Sequence, residues 1–499
     1  MSHRPPRPSR PELARGARGG GGPTRSALSR SCAAALLAAA LAAPLCAAEG
    51  QTGWPRQLRW AEIPSSALAT LPLKPVDPDV VVHERERRGF VTVPLDYGDA
   101  SGRTIEIFYR LLPTTGDAEP DGSAPILLFM NGGPGAPASA YRPLDYDYDA
   151  APHDALSELS RYFRILAVDQ RGTGSSAPLD LDDPALSPEV IARYFDSDEH
   201  ARDHARVVDQ VVPGREHFFA LARSYGGEIG FHYLLDDSAR RPAGFIFSSA
   251  VLPHSDALET FLLRRRRQKE LNLELQRTRP GTVGKLVRLR AHLESLGLEG
   301  AAVHLLWPSL GRSPDWSAEL DERLDQLLEI SDPTTMSSEL GHGIGETVNL
   351  LNYVLSSAAL TPGYTDRSIT VETSRQIPFE AWMLDENWVL NQIGRDGTWR
   401  EEFIAAVDRN PPPPTRFPPP EEIRAALGRV RALFTFGRSD AFLPQELQLE
   451  RARRFHVPGH TELRTFDGGH GAAFGAEGAR FLRDWATRVL EERTAPDPP

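Results

Sequence analysis

The sequence predicts an α/β fold: a mostly parallel sheet flanked by helices, with a helical region inserted near its C-terminal end. Three observations carry this. Short apolar runs without polar alternation recur along the chain, and helical stretches separate them. Between His254 and Arg429 those runs stop and long Leu- and Glu-rich stretches replace them. Unalternating runs bounded by Gly, Pro or Asp mark strands buried on both faces, which is the condition of a sheet covered by helices on both sides.

The first 48 residues stand apart. They carry seven arginines (Arg4, Arg7, Arg10, Arg15, Arg18, Arg25 and Arg30) against one acid, Glu12. An apolar run from Ala33 to Leu45 follows, then Cys46-Ala47-Ala48. A basic head, a short apolar run and small residues before the cut describe a secretory signal peptide, with cleavage expected after Ala48. The run is shorter than the roughly 20 residues a spanning helix needs. Both cysteines, Cys32 and Cys46, lie in this segment, so the mature chain is expected to hold no disulfide and no thiol nucleophile. Removing the segment takes the formal charge from −12 to about −18. A strongly acidic chain disfavours nucleic acid and stable association with anionic membranes, and suits a periplasmic or secreted enzyme.

The expected strands are Phe90–Val93, Thr104–Leu111, Ile126–Met130, Arg164–Val168, Phe218–Ala222, Phe245–Phe247 and Leu433–Phe436. They divide the chain into a first core part (residues 49–253) and a second (residues 430–499). The inserted region (residues 254–429) reads as a helical cap, with helical spacing over Asp256–Gln276 and Val283–Leu298. Its proline tract, Pro411–Pro414 and Pro418–Pro420, is a stiff extended spacer leading back to the sheet. The Arg264–Arg267 run is expected on a solvated helix face. No internal repeat is evident.

Chemistry concentrates at strand ends. Ala222-Arg223-Ser224-Tyr225-Gly226-Gly227 follows an apolar run and opens a helical one, the strand–turn–helix setting of a nucleophile elbow. Ala222 stands where the motif usually has glycine. Downstream, Phe434–Asp440 is a strand ending in a turn with an acid, and Asp467-Gly468-Gly469-His470-Gly471 sets a histidine in a glycine-rich loop. Nucleophile, acid and histidine in that order, each after a strand, is the arrangement of the α/β-hydrolase fold. Ser224, Asp440 and His470 are the candidate triad, while the rival acid Asp467 is too near His470 in sequence. Asn131-Gly132-Gly133-Pro134-Gly135 follows the strand Ile126–Met130, and its glycines let backbone N–H groups approach a developing oxyanion. The amides of Gly133 and Tyr225 are the candidate oxyanion hole.

Asn131–Gly135, the run Val168–Ser176 and the Ser224 elbow resemble the prolyl aminopeptidase and tripeptidyl aminopeptidase family of serine peptidases. Val91–Tyr97 is similar to the lead-in strand of its exported tripeptidyl branch. The likeness covers about Gly89–Pro253 and Ala432 to the C-terminus; the cap is only loosely alike. It implies removal of residues from the free N-terminus of peptides, with proline or a small apolar residue first. It also implies that Asp169 and Arg171 hold loops together. The departures are Ala222 and Asn131, the latter in place of a more usual histidine. Asn-Gly-Gly-Pro-Gly also occurs in serine carboxypeptidases, but those carry an acid where Arg223 stands.

An aminopeptidase must hold a protonated amine, and cap carboxylates would serve. Glu346 and Glu380 are the candidates, each equally readable as an exposed helix acid. No metal or organic cofactor is expected. The alternative enzyme is a carboxylesterase or other small-ester hydrolase, which the same triad would serve. A non-catalytic binding protein on this fold is the reading from a different class. Oligomeric state and the preferred N-terminal residue stay open.

Overall fold

The computed structural model describes residues 85–99, 101–115, 124–133, 137–140, 156–176, 190, 193–214, 216–253, 257–311, 313, 315–345, 367–386 and 419–494. The signal-peptide segment, both cysteines, Pro134–Gly135, Glu346 and the tract Pro411–Pro418 lie outside them.

Eight strands form one sheet in the order β1-β2-β4-β3-β5-β6-β7-β8. β1 (Arg87–Pro94) and β2 (Thr104–Leu112) make an antiparallel hairpin, and β2 runs antiparallel to β4 (Arg164–Val168). From β4 onward every pairing is parallel: β3 (Ile126–Met130), β5 (Phe218–Arg223), β6 (Gly244–Ser248), β7 (Arg431–Gly437) and β8 (Thr461–Phe466). All seven expected strands are present. β8 is the one the apolar pattern did not announce. Its sequence, TELRTF, mixes polar and apolar residues because it lies at the sheet edge, with a single partner strand and only its two end residues buried.

The helices in chain order are α1 (Ser157–Ser160), α2 (Ser197–Val211), α3 (Gly226–Leu235), α4 (Ala257–Thr278), α5 (Pro280–Ser295), α6 (Trp316–Leu328), α7 (Pro333–Gly345), α8 (Arg367–Gln376), α9 (Pro420–Leu427), α10 (Gln445–Arg454) and α11 (Ala476–Thr494). A 3₁₀ helix, Gly300–Ser309, lies between α5 and α6. Residues of α2, α3, α9 and α10 pack on one face of the sheet, where Val207, Ile229, Ile423 and Ala452 meet Leu128, Ala220 and Phe434. Residues of α1 and α11 cover the other, with Leu159, Leu482 and Trp485 against Leu127, Phe219 and Leu433. Successive strand residues point to opposite faces, so strands covered on both sides must be apolar throughout. The burial of every residue of β3 and β6 meets that requirement.

Helices α4 to α7 and the 3₁₀ helix build a second core, in which Leu271, Leu289, Trp307, Leu324 and Leu340 are buried together. Residues 254–429 do not all belong to it. α9 buries Ile423, Ala426 and Leu427 in the sheet's own core, because its apolar face meets α3. The Arg264–Arg267 run corrects an expectation. Arg264 and Arg265 are buried, whereas Arg266 is exposed. Arg264 pairs with Glu386. Arg265 reaches Asp385 at 2.7 Å and the Ile377 carbonyl at 2.6 Å, its guanidinium 3.9 Å from the Phe379 ring centroid. Four consecutive arginines on a helix must face several ways, and here two find carboxylates inside the cap.

Candidate active site

The nucleophile candidate sits where β5 turns into α3. Ser224 has φ = 54°, the left-handed region that a side chain disfavours. Such a conformation costs on the order of 1–3 kcal/mol and persists only where the surroundings over-determine it. Here three backbone bonds do so. Ser224 N–H donates to the Ser248 carbonyl at 3.2 Å, and its own carbonyl accepts from Gly227 and Val251 N–H at 2.9 and 2.8 Å. The turn lifts Ser224 out of the sheet's end, and α3 begins directly behind it with its dipole positive there.

The loop after β3 presses against this turn. A Cβ on Gly132 would stand 2.6 Å from Ser224 Cβ and 3.1 Å from its Oγ, so only glycine fits. Gly133 follows, exposed and with φ = 113°. Gly132 is thus packed directly on Ser224, and the amide of Gly133 beside it is the candidate oxyanion donor. Gln170 holds the loop, its Nε2 donating to the Asn131 carbonyl at 2.9 Å and the Gly132 carbonyl at 3.3 Å. Tyr225 is buried at the start of α3, with its hydroxyl 3.3 Å from His200 Nδ1. Burial holds the His200 imidazole well below its ordinary range, so it meets Tyr225 as a neutral ring.

The other two candidates meet directly. His470 Nδ1 donates to Asp440 Oδ2 at 2.9 Å. Asp440 is 1% exposed, and its Oδ1 accepts from the N–H groups of Phe442 and Leu443, both at 2.9 Å. A carboxylate holding three donors is fixed in orientation, and its bond to Nδ1 leaves Nε2 as the imidazole's basic nitrogen. The strand end and histidine loop meet this closely because residue 437 is glycine: a Cβ there would lie 2.0 Å from the Gly469 carbonyl oxygen. Asp467 does not compete. It is exposed and takes Arg438 Nε at 2.8 Å. Below the loop, the Arg223 guanidinium lies 5.1 Å from the Phe474 ring centroid.

Asp169 and Arg171 hold loops together. Asp169 is buried and accepts from Ser139 N–H at 2.8 Å, Ser139 Oγ at 2.7 Å and Ser175 N–H at 3.1 Å. Burial pushes its carboxyl above the usual range while the Ser139 donors oppose the shift. Arg171 forks onto Asp203 at 2.7 and 2.6 Å and reaches the carbonyls of Leu95 and Tyr194. Both residues thereby tie the end of β4 to the loops and to α2.

The cap carboxylates fare differently. Glu380 is exposed and accepts from the Trp382 indole N–H at 2.7 Å. The acids turned into the cap are Asp385 and Glu386, which already face Arg265 and Arg264. Gln268 Nε2 also donates to Glu386, at 2.7 Å. Among the described residues, no three His, Cys, Asp or Glu side chains converge as metal ligands would. Gly132, Gln170 and Phe442 went unassigned from sequence. Gln170 lay in the Val168–Ser176 run, but nothing in a sequence says that a glutamine will reach across to a neighbouring loop.

Residues 125–476 match the family described as the alpha/beta hydrolase fold. A proline iminopeptidase from Aeromonas sobria is 34% identical over 150 residues, 29% of this chain and 33% of that protein. The chain thus spans about a third of that relative's length. Among solved structures, an acetylester hydrolase from Corynebacterium glutamicum aligns at 16% identity over 81% of this chain and 96% of its own, with a TM-score of 0.41. An esterase from Thermogutta terrifontis aligns at 14% identity over 80% and 99%, with a TM-score of 0.36. Likenesses of that size say nothing of this chain's substrate.

Proposed function

The chain belongs to the alpha/beta hydrolase fold family, and from that premise we propose that it is an exported serine aminopeptidase, releasing N-terminal residues from peptides through an acyl-enzyme. The observation that carries the reading is the Asp440–His470 pair, set in chain order after a serine held at a strained strand–helix turn. His470 Nε2 takes the Ser224 hydroxyl proton as Oγ bonds to the carbonyl carbon. The oxyanion accepts hydrogen bonds from the loop at Gly132–Gly133 and from the Tyr225 amide. The protonated imidazole then gives its proton to the leaving amine, the C–N bond breaks, and water repeats the sequence on the ester. Asp440 stabilises the imidazolium throughout.

The peptide substrate is supported by the partial match to a proline iminopeptidase and by the motifs at Asn131, Val168 and Ser224. Export is supported by the basic head and apolar run of the first 48 residues. Glu346 and Glu380 are retained as candidates for the substrate amine. One observation favours the second reading, an ester hydrolase: the inward-facing cap acids Asp385 and Glu386 are already paired with arginines.

The deciding assay uses aminoacyl and peptidyl chromogenic amides, free and N-blocked, beside a short-chain ester, with Ser224→Ala as control. Cleavage of free Pro- or Ala-started amides, abolished by blocking and in the variant, is the expected result. Ser224-dependent cleavage of the ester alone would move the enzyme to the esterase class, and Ser224-independent turnover would end the serine mechanism.

A further inference from the structure

The loop that carries Asp440 is pressed between the sheet and the cap. Arg267 of α4 donates from Nη2 to the Arg438 carbonyl at 2.8 Å. Gly311, just past the 3₁₀ helix with φ = 65°, lies so close to Ser439 that a Cβ there would stand 2.3 Å from its carbonyl oxygen. Ala441 is buried within the cap's own core. The Phe442 ring then lies between two partners: its centroid is 4.5 Å from Trp307 of the cap and 5.0 Å from the His470 imidazole. Contacts from the cap at residues 438, 439, 441 and 442 thus bracket Asp440. The same Phe442 supplies a backbone N–H to Asp440.

We infer that the cap seats the acid loop, and that Trp307, acting through Phe442, is a positioning residue for Asp440 and His470. Trp307 is buried in the cap, so its ring offers a fixed surface. Phe442 is held on one side by that surface and on the other limits the tilt of the imidazole. Loss of the Trp307 ring lets Phe442 relax toward the cap. The imidazole then loses a wall, and Asp440 loses part of what aims its carboxylate. The inference rests on the triad mechanism proposed above, and it assigns to the cap a role in the chemical step besides any role in enclosing substrate.

The test measures kcat and KM of Trp307→Leu, Trp307→Phe, Gly311→Ala, Phe442→Leu and the Trp307→Leu/Phe442→Leu double variant, on whichever substrate the parent turns over. Rates of labelling by a fluorophosphonate and melting temperatures are recorded beside them. A displacement of about 1 Å at reacting groups costs up to about a hundredfold. Trp307→Leu is therefore expected to lower kcat about tenfold or more, with KM changed less than about twofold and labelling slowed in parallel. Trp307→Phe should recover most of the loss. The double variant should be little worse than the poorer single one, because both act through one contact. Gly311→Ala should repeat the kcat loss by pushing on Ser439, and it carries the test should Trp307→Leu not fold. Parental kcat in folded Trp307→Leu or Gly311→Ala overturns the inference. So does a rise in KM at constant kcat, or full additivity in the double variant. If Ser224→Ala is inactive while these variants are normal, only the seating role fails. If Ser224→Ala keeps parental activity, the mechanism itself fails.

Discussion

The two ends of the proposed triad are held by different means. Ser224 is fixed from within the sheet: three backbone bonds trap a strained φ, and the surrounding strands β3, β5 and β6 bury apolar side chains almost throughout. Asp440 is fixed from outside the sheet, by a loop whose other face is the cap. The cap is also built differently. It buries Arg264, Arg265, Gln268, Asn272 and Glu386, which bond to one another, to Asp385 and to backbone carbonyls. An apolar core tolerates many substitutions of similar volume, whereas a buried polar network is sensitive to the loss of any one member. The strands around Ser224 therefore set the nucleophile candidate robustly, and the cap sets the candidate acid through contacts that single substitutions can break.

The largest effect that would sharpen this contrast is expected at the acid. Asp440→Asn keeps a carbonyl to accept from Phe442 and Leu443, yet cannot hold the imidazole in its Nδ1–H form as a carboxylate does. Steady-state kinetics should show kcat lower by about 10³–10⁴-fold, with the melting temperature nearly unchanged. A loss under about tenfold would mean that another acid serves His470, and the division drawn here would dissolve.

A smaller effect, on stability, is expected in the cap. Arg264→Met removes the nearest counter-charge of the buried Glu386 and leaves it the Gln268 amide, which should cost about 3–5 kcal/mol in chemical denaturation. Adding Glu386→Leu should recover most of it, since replacing both partners by apolar groups of similar size is often neutral. If the single change is silent, the cap interior is wetter than its burial implies. If the double change is as poor as the single, the pair matters for packing and not for charge.

How much of this was legible in the sequence follows the same division. The strands from Ile126–Met130 to Leu433–Phe436 could be read because burial on both faces demands a continuous apolar run, and that demand is local. Ser224, Asp440 and His470 stand out as candidates because each lies at a strand end with small residues around it, in the family's order. β8 escaped because an edge strand need not be a continuous apolar run. Arg264 and Arg265 were misread because four arginines in a row look alike until their partners, more than 100 residues later, are known. Phe442 and Trp307 escaped for the same reason: aromatic residues in apolar surroundings signal a core, and only the fold shows which loop that core supports.

The smallest effect concerns an acid buried beside Ser224 that the proposed mechanism does not use. Glu228 lies in the first turn of α3, four residues after Ser224, and is 1% exposed. Burial alone pushes its carboxyl well above the ordinary value of 4.5. An acid with a raised folded-state pKa binds its proton more tightly in the native chain. Its contribution to stability is therefore complete below the unfolded value and is lost as pH rises toward and through the folded one. Glu228→Gln keeps the shape of the neutral carboxyl and removes the titration. Its melting temperature should match the parent's near about pH 4 and exceed it by about 2 °C or more near about pH 9. Equal melting curves at both pH values would mean that Glu228 ionises freely in the native protein. Glu228 would then join the Arg171–Asp203 pair as charge buried in the α/β half, and the contrast between the two regions would be one of geometry alone.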